Sequence, residues 1–180
     1  MPFPYATLYE QPGEKLRTGP KGGEILKVCV CSDSHGNAAS IDRMLLREQP
    51  DVLLFLGDGL QDLNTLPPER GCKRYVVAGN CDFGSGESEM RLVHLENVRI
   101  LMLHGHRAAV KTGLLRLSLL AQEHRADIAV YGHTHRQDAQ WAERTLLLCP
   151  GSIGSASGAY AVLDVKDGRY DFTLKQEGEC

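Results

Sequence analysis

Cys29-Val30-Cys31-Ser32-Asp33-Ser34-His35-Gly36-Asn37 contains the first of five similar strand ends in this chain. An apolar run stops at Asp33, and His35 follows two residues later. The same arrangement recurs at Gly57-Asp58-Gly59, Gly79-Asn80-Cys81-Asp82, His104-Gly105-His106 and Gly132-His133-Thr134-His135. A lone Asp-x-His arises often by chance. Five apolar runs, each ending in a residue able to hold a metal, do not. They read as one polar site.

Outward from this stretch, residues 25–31 form a central strand, and Asn37 caps a helix over 38–48 whose Ile41, Met44 and Leu45 share a face. Strands follow at 52–56 and 74–78, separated by a long loop over 59–72 with room for one helical turn. Residues 90–95 and 98–103 make a hairpin turned at Glu96-Asn97. A helix over 110–124 carries Leu114, Leu115, Leu117, Leu119 and Leu120 as core. If both its faces are apolar, part of it serves a subunit contact in a homo-oligomer. A strand at 127–131 precedes two antiparallel pairs, 137–142 with 145–149 and 159–165 with 169–175. The last pair turns at Lys166-Asp167-Gly168.

The first half alternates strand and helix, which calls for parallel pairing, and the second half is mostly antiparallel. Two mixed sheets packed face to face and flanked by helices accommodate both, an α/β architecture. Ligands in such sheets sit beyond the carboxyl ends of the strands, where all five polar clusters fall.

The chain has 180 residues, enough for one domain with a sizeable core. Residues 1–24 hold four of the eight prolines and four glycines, and read as a flexible N-terminal extension to a domain over 25–180. A net charge of -3 argues against a general nucleic-acid or membrane-surface binder. No stretch approaches the roughly 20 apolar residues that span a bilayer. Pro2, Pro4, Glu10 and Pro12 break up any apolar signal core, so the expected location is the cytoplasm. The six cysteines form no Cys-x-x-Cys pair and read as reduced thiols.

Asp33, His35, Asp58, Asn80, His104, His133 and His135 are seven candidate metal ligands, too many for one tetrahedral ion. They suit two divalent ions sharing a carboxylate. Oxygen and imidazole donors without thiolate favour manganese, iron, zinc, nickel or cobalt over calcium. Such a pair keeps a residual positive charge that suits an anionic phosphoryl group. Ions about 3.5–4 Å apart would activate a water and clamp the phosphoryl oxygens.

Asp-x-His, Gly-Asp, Gly-Asn, His-Gly-His and Gly-His-Thr-His, in that order over residues 26–165, resemble the calcineurin-like metallophosphoesterase superfamily. Gly-Asn-Cys-Asp is similar to its small single-domain prokaryotic phosphodiesterases, and Cys149-Pro150-Gly151-Ser152 resembles the family's Asn-Pro-Gly-Ser turn. The resemblance implies a four-layer αββα sandwich and phosphoester hydrolysis by a metal-bridging hydroxide, commonly with manganese. By position it puts Asp33, His35 and His135 on one metal, and Asn80, His104 and His133 on the other. Asp58 then bridges, and Asp58, Asn80 and His104 form the catalytic set. Where many relatives have His after the Asn, this chain has Cys81.

Cys81, His106 and Arg107 are candidate substrate contacts, and Arg136 shares Arg107's position directly after a ligand motif. His106 alternatively hydrogen-bonds backbone, and Asp82 either caps a turn or orients a neighbour. His94 and His124 fall outside every motif. The expected activity is a phosphodiesterase on a small soluble phosphoester. The alternatives are a phosphomonoesterase or nucleotidase with the same site, and a protein-binding scaffold like a relative from membrane-traffic coats.

Overall fold

The computed structural model describes residues 24–67 and 71–178. The extension expected over 1–24 therefore lies, but for Glu24, outside the described residues. Among the described residues, ten strands form two five-stranded sheets. β1 (Leu26–Cys31), β2 (Val52–Phe55), β3 (Lys73–Val76), β9 (Tyr160–Lys166) and β10 (Arg169–Lys175) make the first, in the order β10-β9-β1-β2-β3. β4 (Met90–Leu95), β5 (Val98–Leu103), β6 (Ile128–Tyr131), β7 (Gln137–Ala142) and β8 (Thr145–Pro150) make the second, in the order β4-β5-β6-β8-β7.

The apolar runs are continuous because their strands are buried on both faces. From β1, Val28 and Val30 enter the core between the sheets, while Cys29 and Cys31 face outward. Val52 and Leu54 of β2, Ile100 and Met102 of β5, and Ile128 and Val130 of β6 complete that inner layer. Outside the first sheet, α1 (Ala38–Glu48) lays down Ile41, Met44 and Leu45, and α2 (Leu60–Leu63) adds Leu63. Outside the second, α3 (Leu115–Glu123) contributes Leu117 and Ala121. The result is the expected four-layer αββα sandwich.

The Asn37 side chain caps α1, accepting from the Ser40 N–H at 3.3 Å. Glu96 and Asn97 both take positive φ at the hairpin tip, as do Asp167 and Gly168. The segment after β2 is not all loop, since α2 occupies its start. The helix expected over 110–124 is shorter than its sequence suggests. Val110–Thr112 turn instead, and Gly113 takes a φ of +153° that breaks a helix. Once α3 starts at Leu115, its period turns only Leu117 and Ala121 fully inward, leaving Leu115 and Leu119 exposed. The Leu-rich run is thus only partly core. Among the described residues no helix is long and apolar enough to cross a membrane.

Parallel pairing aligns the carboxyl ends. β1 runs beside β2 with Val28 opposite Val52, and β2 beside β3 with Val52 opposite Lys73. In the second sheet β5, β6 and β8 are likewise parallel neighbours. The pairing continues past the strands: Asp33 N–H donates to the Gly57 carbonyl at 2.9 Å, and Gly132 N–H to that of His104 at 3.0 Å. Both sheets deliver their strand ends to one edge of the sandwich.

Candidate metal centre

Asp33 follows β1, Asp58 follows β2, His104 follows β5, and His133 and His135 follow β6. Asp33 and His104 are fully buried, and Asp58 is 2% exposed. The two carboxylates lie apart from lysine and arginine, and among the described residues their ion-pair partners are all histidines. Asp33 Oδ1 is 3.0 Å from His135 Nε2, 3.8 Å from His35 Nε2 and 3.9 Å from His104 Nε2. Asp58 Oδ2 is 3.3 Å from His104 Nε2. Ligand atoms of Asp33, His35 and His135 lie within 4.8 Å of one another, and so do those of Asp58, His104 and His133.

Ring nitrogens crowd one another, at distances where a hydrogen bond depends on which tautomer each ring adopts. His104 Nδ1 lies 2.8 Å from the Leu56 carbonyl, which can only accept, so Nδ1 carries the hydrogen. In the neutral ring Nε2 then presents a lone pair. It lies 3.2 Å from His133 Nδ1. His35 Nε2 and His135 Nε2 face each other at 3.4 Å. Asp33 Oδ1 and Asn80 Oδ1 are buried without a hydrogen-bond partner among the described residues. Buried carboxylates, orphaned oxygens and opposed imidazoles together fit a cation-binding site. Burial, with His104 and Lys111 nearby, pushes the His133 imidazole down to about 4, which keeps it in its neutral, ligating form.

The glycines of the motifs make room for this. A Cβ on Gly132 would stand 2.0 Å from Ser32 Oγ and 2.8 Å from Asp33 Oδ2. One on Gly79 would stand 2.2 Å from Asp58 Oδ1. The site's backbone is held from behind. Asp82 accepts N–H bonds from Asp58 (2.7 Å), Gly79 (2.8 Å), Gly59 and Leu60 (both 2.9 Å). Burial opposes ionisation of Asp82, but these four donors prevail and hold its carboxyl below the usual range. Asp82 therefore both caps and orients.

Two further supports escaped the sequence reading. Asp62 Oδ2, on α2, accepts from Ser34 Oγ at 2.5 Å and from Gly36 N–H at 2.9 Å. Ser152, in the turn after β8, donates its hydroxyl to the Asp33 carbonyl at 2.8 Å. A buried acid inside α2 was the only available signal for Asp62.

The remaining candidates divide. Cys81 is exposed, and its Sγ lies within 4.8 Å of ligand atoms of His35 and Asp58, which adds sulfur to a donor set read as thiolate-free. Burial, Asp58 and the other nearby carboxylates push its thiol up. Asn80 Nδ2 lies 3.4 Å from Cys81 Sγ, so the Asn80 carbonyl oxygen remains for a cation. The His106 ring lies tilted or edge-on beside those of His104 and His133, with centroids 5.6 and 6.2 Å away, and burial lowers its pKa. Arg107 is turned to Glu89, which it grips with both Nε and Nη2. His94 is exposed on β4, and His124 caps α3.

The profile of the calcineurin-like phosphoesterase superfamily domain matches residues 26–168. The probable metallophosphoesterase YsnB of Bacillus subtilis is 31% identical over 147 residues, 79% of this chain and 86% of the relative. The phosphodiesterase YfcE of Escherichia coli is 29% identical over 78% of this chain and 88% of its own length. A crystal structure of a predicted phosphoesterase from Streptococcus pneumoniae superposes with a TM-score of 0.69 at 28% identity, covering 83% of this chain and 88% of its own. Vacuolar protein sorting 29 from Cryptosporidium parvum shares the fold, with a TM-score of 0.67 at 16% identity over 87% of this chain and all of its own.

Proposed function

The chain belongs to the calcineurin-like phosphoesterase superfamily, and we propose that it is a two-metal phosphodiesterase acting on a small, water-soluble phosphoester. One observation carries this reading: two Asp-His-His groups, each within 4.8 Å, lie side by side, with His104 Nε2 within 3.9 Å of both Asp33 and Asp58. Asp33, His35 and His135 would hold one ion. His104, His133 and Asn80 would hold the other, and Asp58 would serve both. Bound there, two divalent ions would supply a nucleophile from water and neutralise charge on the phosphoryl oxygens.

The chain's own residues do the rest. The Leu56 carbonyl fixes the His104 ring and its tautomer. Asp82 and Asp62 hold the loops bearing Asp58 and His35 in register. His106 faces the cleft beside Asn80. Arg107 is committed to Glu89 and is left out of the substrate set. The oxygen and imidazole donors suit manganese, zinc, iron, nickel or cobalt without ranking them, and the family resemblance makes manganese the first choice.

The test is turnover of bis(p-nitrophenyl) phosphate against p-nitrophenyl phosphate by purified protein loaded with each of these metals. Faster cleavage of the diester, abolished by chelation and lowered at least about 100-fold in Asp33→Asn, is expected. Preference for the monoester would make the enzyme a phosphatase. Turnover of neither, with metal bound, would contradict hydrolysis altogether.

A further inference from the structure

Phe83 is 93% exposed, more than any other large apolar side chain among the described residues. A lone exposed aromatic is ordinary, but this one stands three residues after Asn80, on a loop anchored at both ends. Asp82 ties the loop root to the Asp58 loop, Ser85 N–H donates to the Asp82 carbonyl at 3.3 Å, and Ala78 N–H donates to that of Ser88 at 2.8 Å. The exposure of Phe83 thus belongs to a pinned loop.

Two hollows flank that loop. One, of about 540 Å³, lies between it and α2 and includes Cys81 in its lining. The other, of about 430 Å³, includes Asn80 and His106 in its lining. Phe83 lines both. Each volume falls within the roughly 300–1,000 Å³ of small-molecule sites. The larger hollow is lined by apolar Leu60, Leu63 and Val76, by the amides of Gln61 and Asn64, and by the charged Arg74, Asp82 and Glu87. This lining is mainly polar, so a flat ring would stack on the Phe83 face and turn its polar edges toward the wall.

We infer that the cleft between α2 and the 80–89 loop is the subsite for a planar aromatic group on one ester arm of the substrate, with Phe83 as the face on which that group stacks. This rests on reading the adjacent centre as a phosphoester site. It names the part of the substrate that the metal ligands do not touch. Stacking tolerates any flat ring, whether a simple aryl group or a nucleobase. The amides of Gln61 and Asn64 can address only a ring with polar edges.

The test measures affinities of the full, manganese-loaded protein for four anions by calorimetry: inorganic phosphate, methyl phosphate, phenyl phosphate and adenosine 5′-monophosphate. Phenyl phosphate should bind more tightly than methyl phosphate. Phe83→Ala and Phe83→Leu should each weaken phenyl phosphate and the nucleotide roughly tenfold, leaving inorganic and methyl phosphate within about twofold. Phe83→Trp should keep the aromatic preference. Gln61→Ala weakening only the nucleotide identifies a nucleobase; no effect identifies a simple aryl group. Equal loss for all four anions, or for none, would overturn the subsite. The hydrolase reading stands or falls separately, on whether diesters are turned over.

Discussion

Asp33, His35, Asp58, His133 and His135 all hold left-handed backbone, with φ of 56°, 45°, 58°, 67° and 59°. Such conformations cost non-glycine residues about 1–3 kcal/mol each and persist where surroundings over-determine them. Here the over-determination is visible in Asp82, which gathers four backbone N–H groups from two loops. Asp82→Ala should lower metal affinity by about 10–100-fold and lower the melting temperature, both measurable on purified protein. Unchanged affinity would show that the loops hold themselves. The ligands themselves were legible because motif and strand end coincide in sequence. Asp62 was not, since its contacts to Ser34 and Gly36 lie 28 and 26 residues away and depend on α2 packing. By its resemblance to the family, Cys81 takes the place of a His that would serve as leaving-group acid, and we propose that a thiol beside metals would serve that role poorly. Rates with native protein should fall steeply along a series of diesters of rising leaving-group pKa, and Cys81→Ser should change them by less than about threefold. A flat dependence that steepens in the variant would make Cys81 a working acid.

At the level of elements, the strands could be placed within a residue or two because most are buried on both faces or alternate cleanly. α3 could not, because five leucines in seven residues satisfy a core run as well as a partly exposed helix. Gly113 decided the outcome through its backbone, which hydrophobicity does not report. One tie between elements was equally hidden. Glu48, at the end of α1 and 5% exposed, accepts from Tyr160 Oη at 2.8 Å and from Lys175 Nζ at 2.9 Å, joining the helix to β9 and β10. Burial works against its ionisation, yet the Lys175 and Tyr160 bonds hold its carboxyl below the usual range. A depressed folded value contributes stability above the unfolded pKa, near 4.3, and that contribution disappears as pH falls through the folded value. Glu48→Gln should therefore cost about 2 kcal/mol at pH 7 and much less near pH 3, read by urea unfolding at both pH values. An equal deficit at both would remove the ionised pair from the account.

For the whole molecule, neither sheet contains the site alone. The first brings Asp33, His35, Asp58 and Asn80, and the second brings His104, His133 and His135. The His104 ring reaches across to the Leu56 carbonyl, so the packing of the two sheets helps position the candidate centre. That is why a sequence pattern scattered over a hundred residues could be read as one place. Residues 26–168 carry the family match, and the proline- and glycine-rich N-terminal extension is expected to contribute little to the site. A protein beginning at Gly23 should keep metal content and diester turnover within about twofold; a large loss with the fold intact would mean that the leader covers the cleft. The central claim is that two ions share Asp58, and metal stoichiometry tests it most directly. Native protein, Asp58→Asn and His135→Ala should be titrated with manganese and analysed for bound metal, with folding checked by circular dichroism. Two ions per native chain, weakened binding of both in Asp58→Asn, and loss of one in His135→Ala are expected. A single ion in the native protein, or two held as tightly in Asp58→Asn, would contradict it.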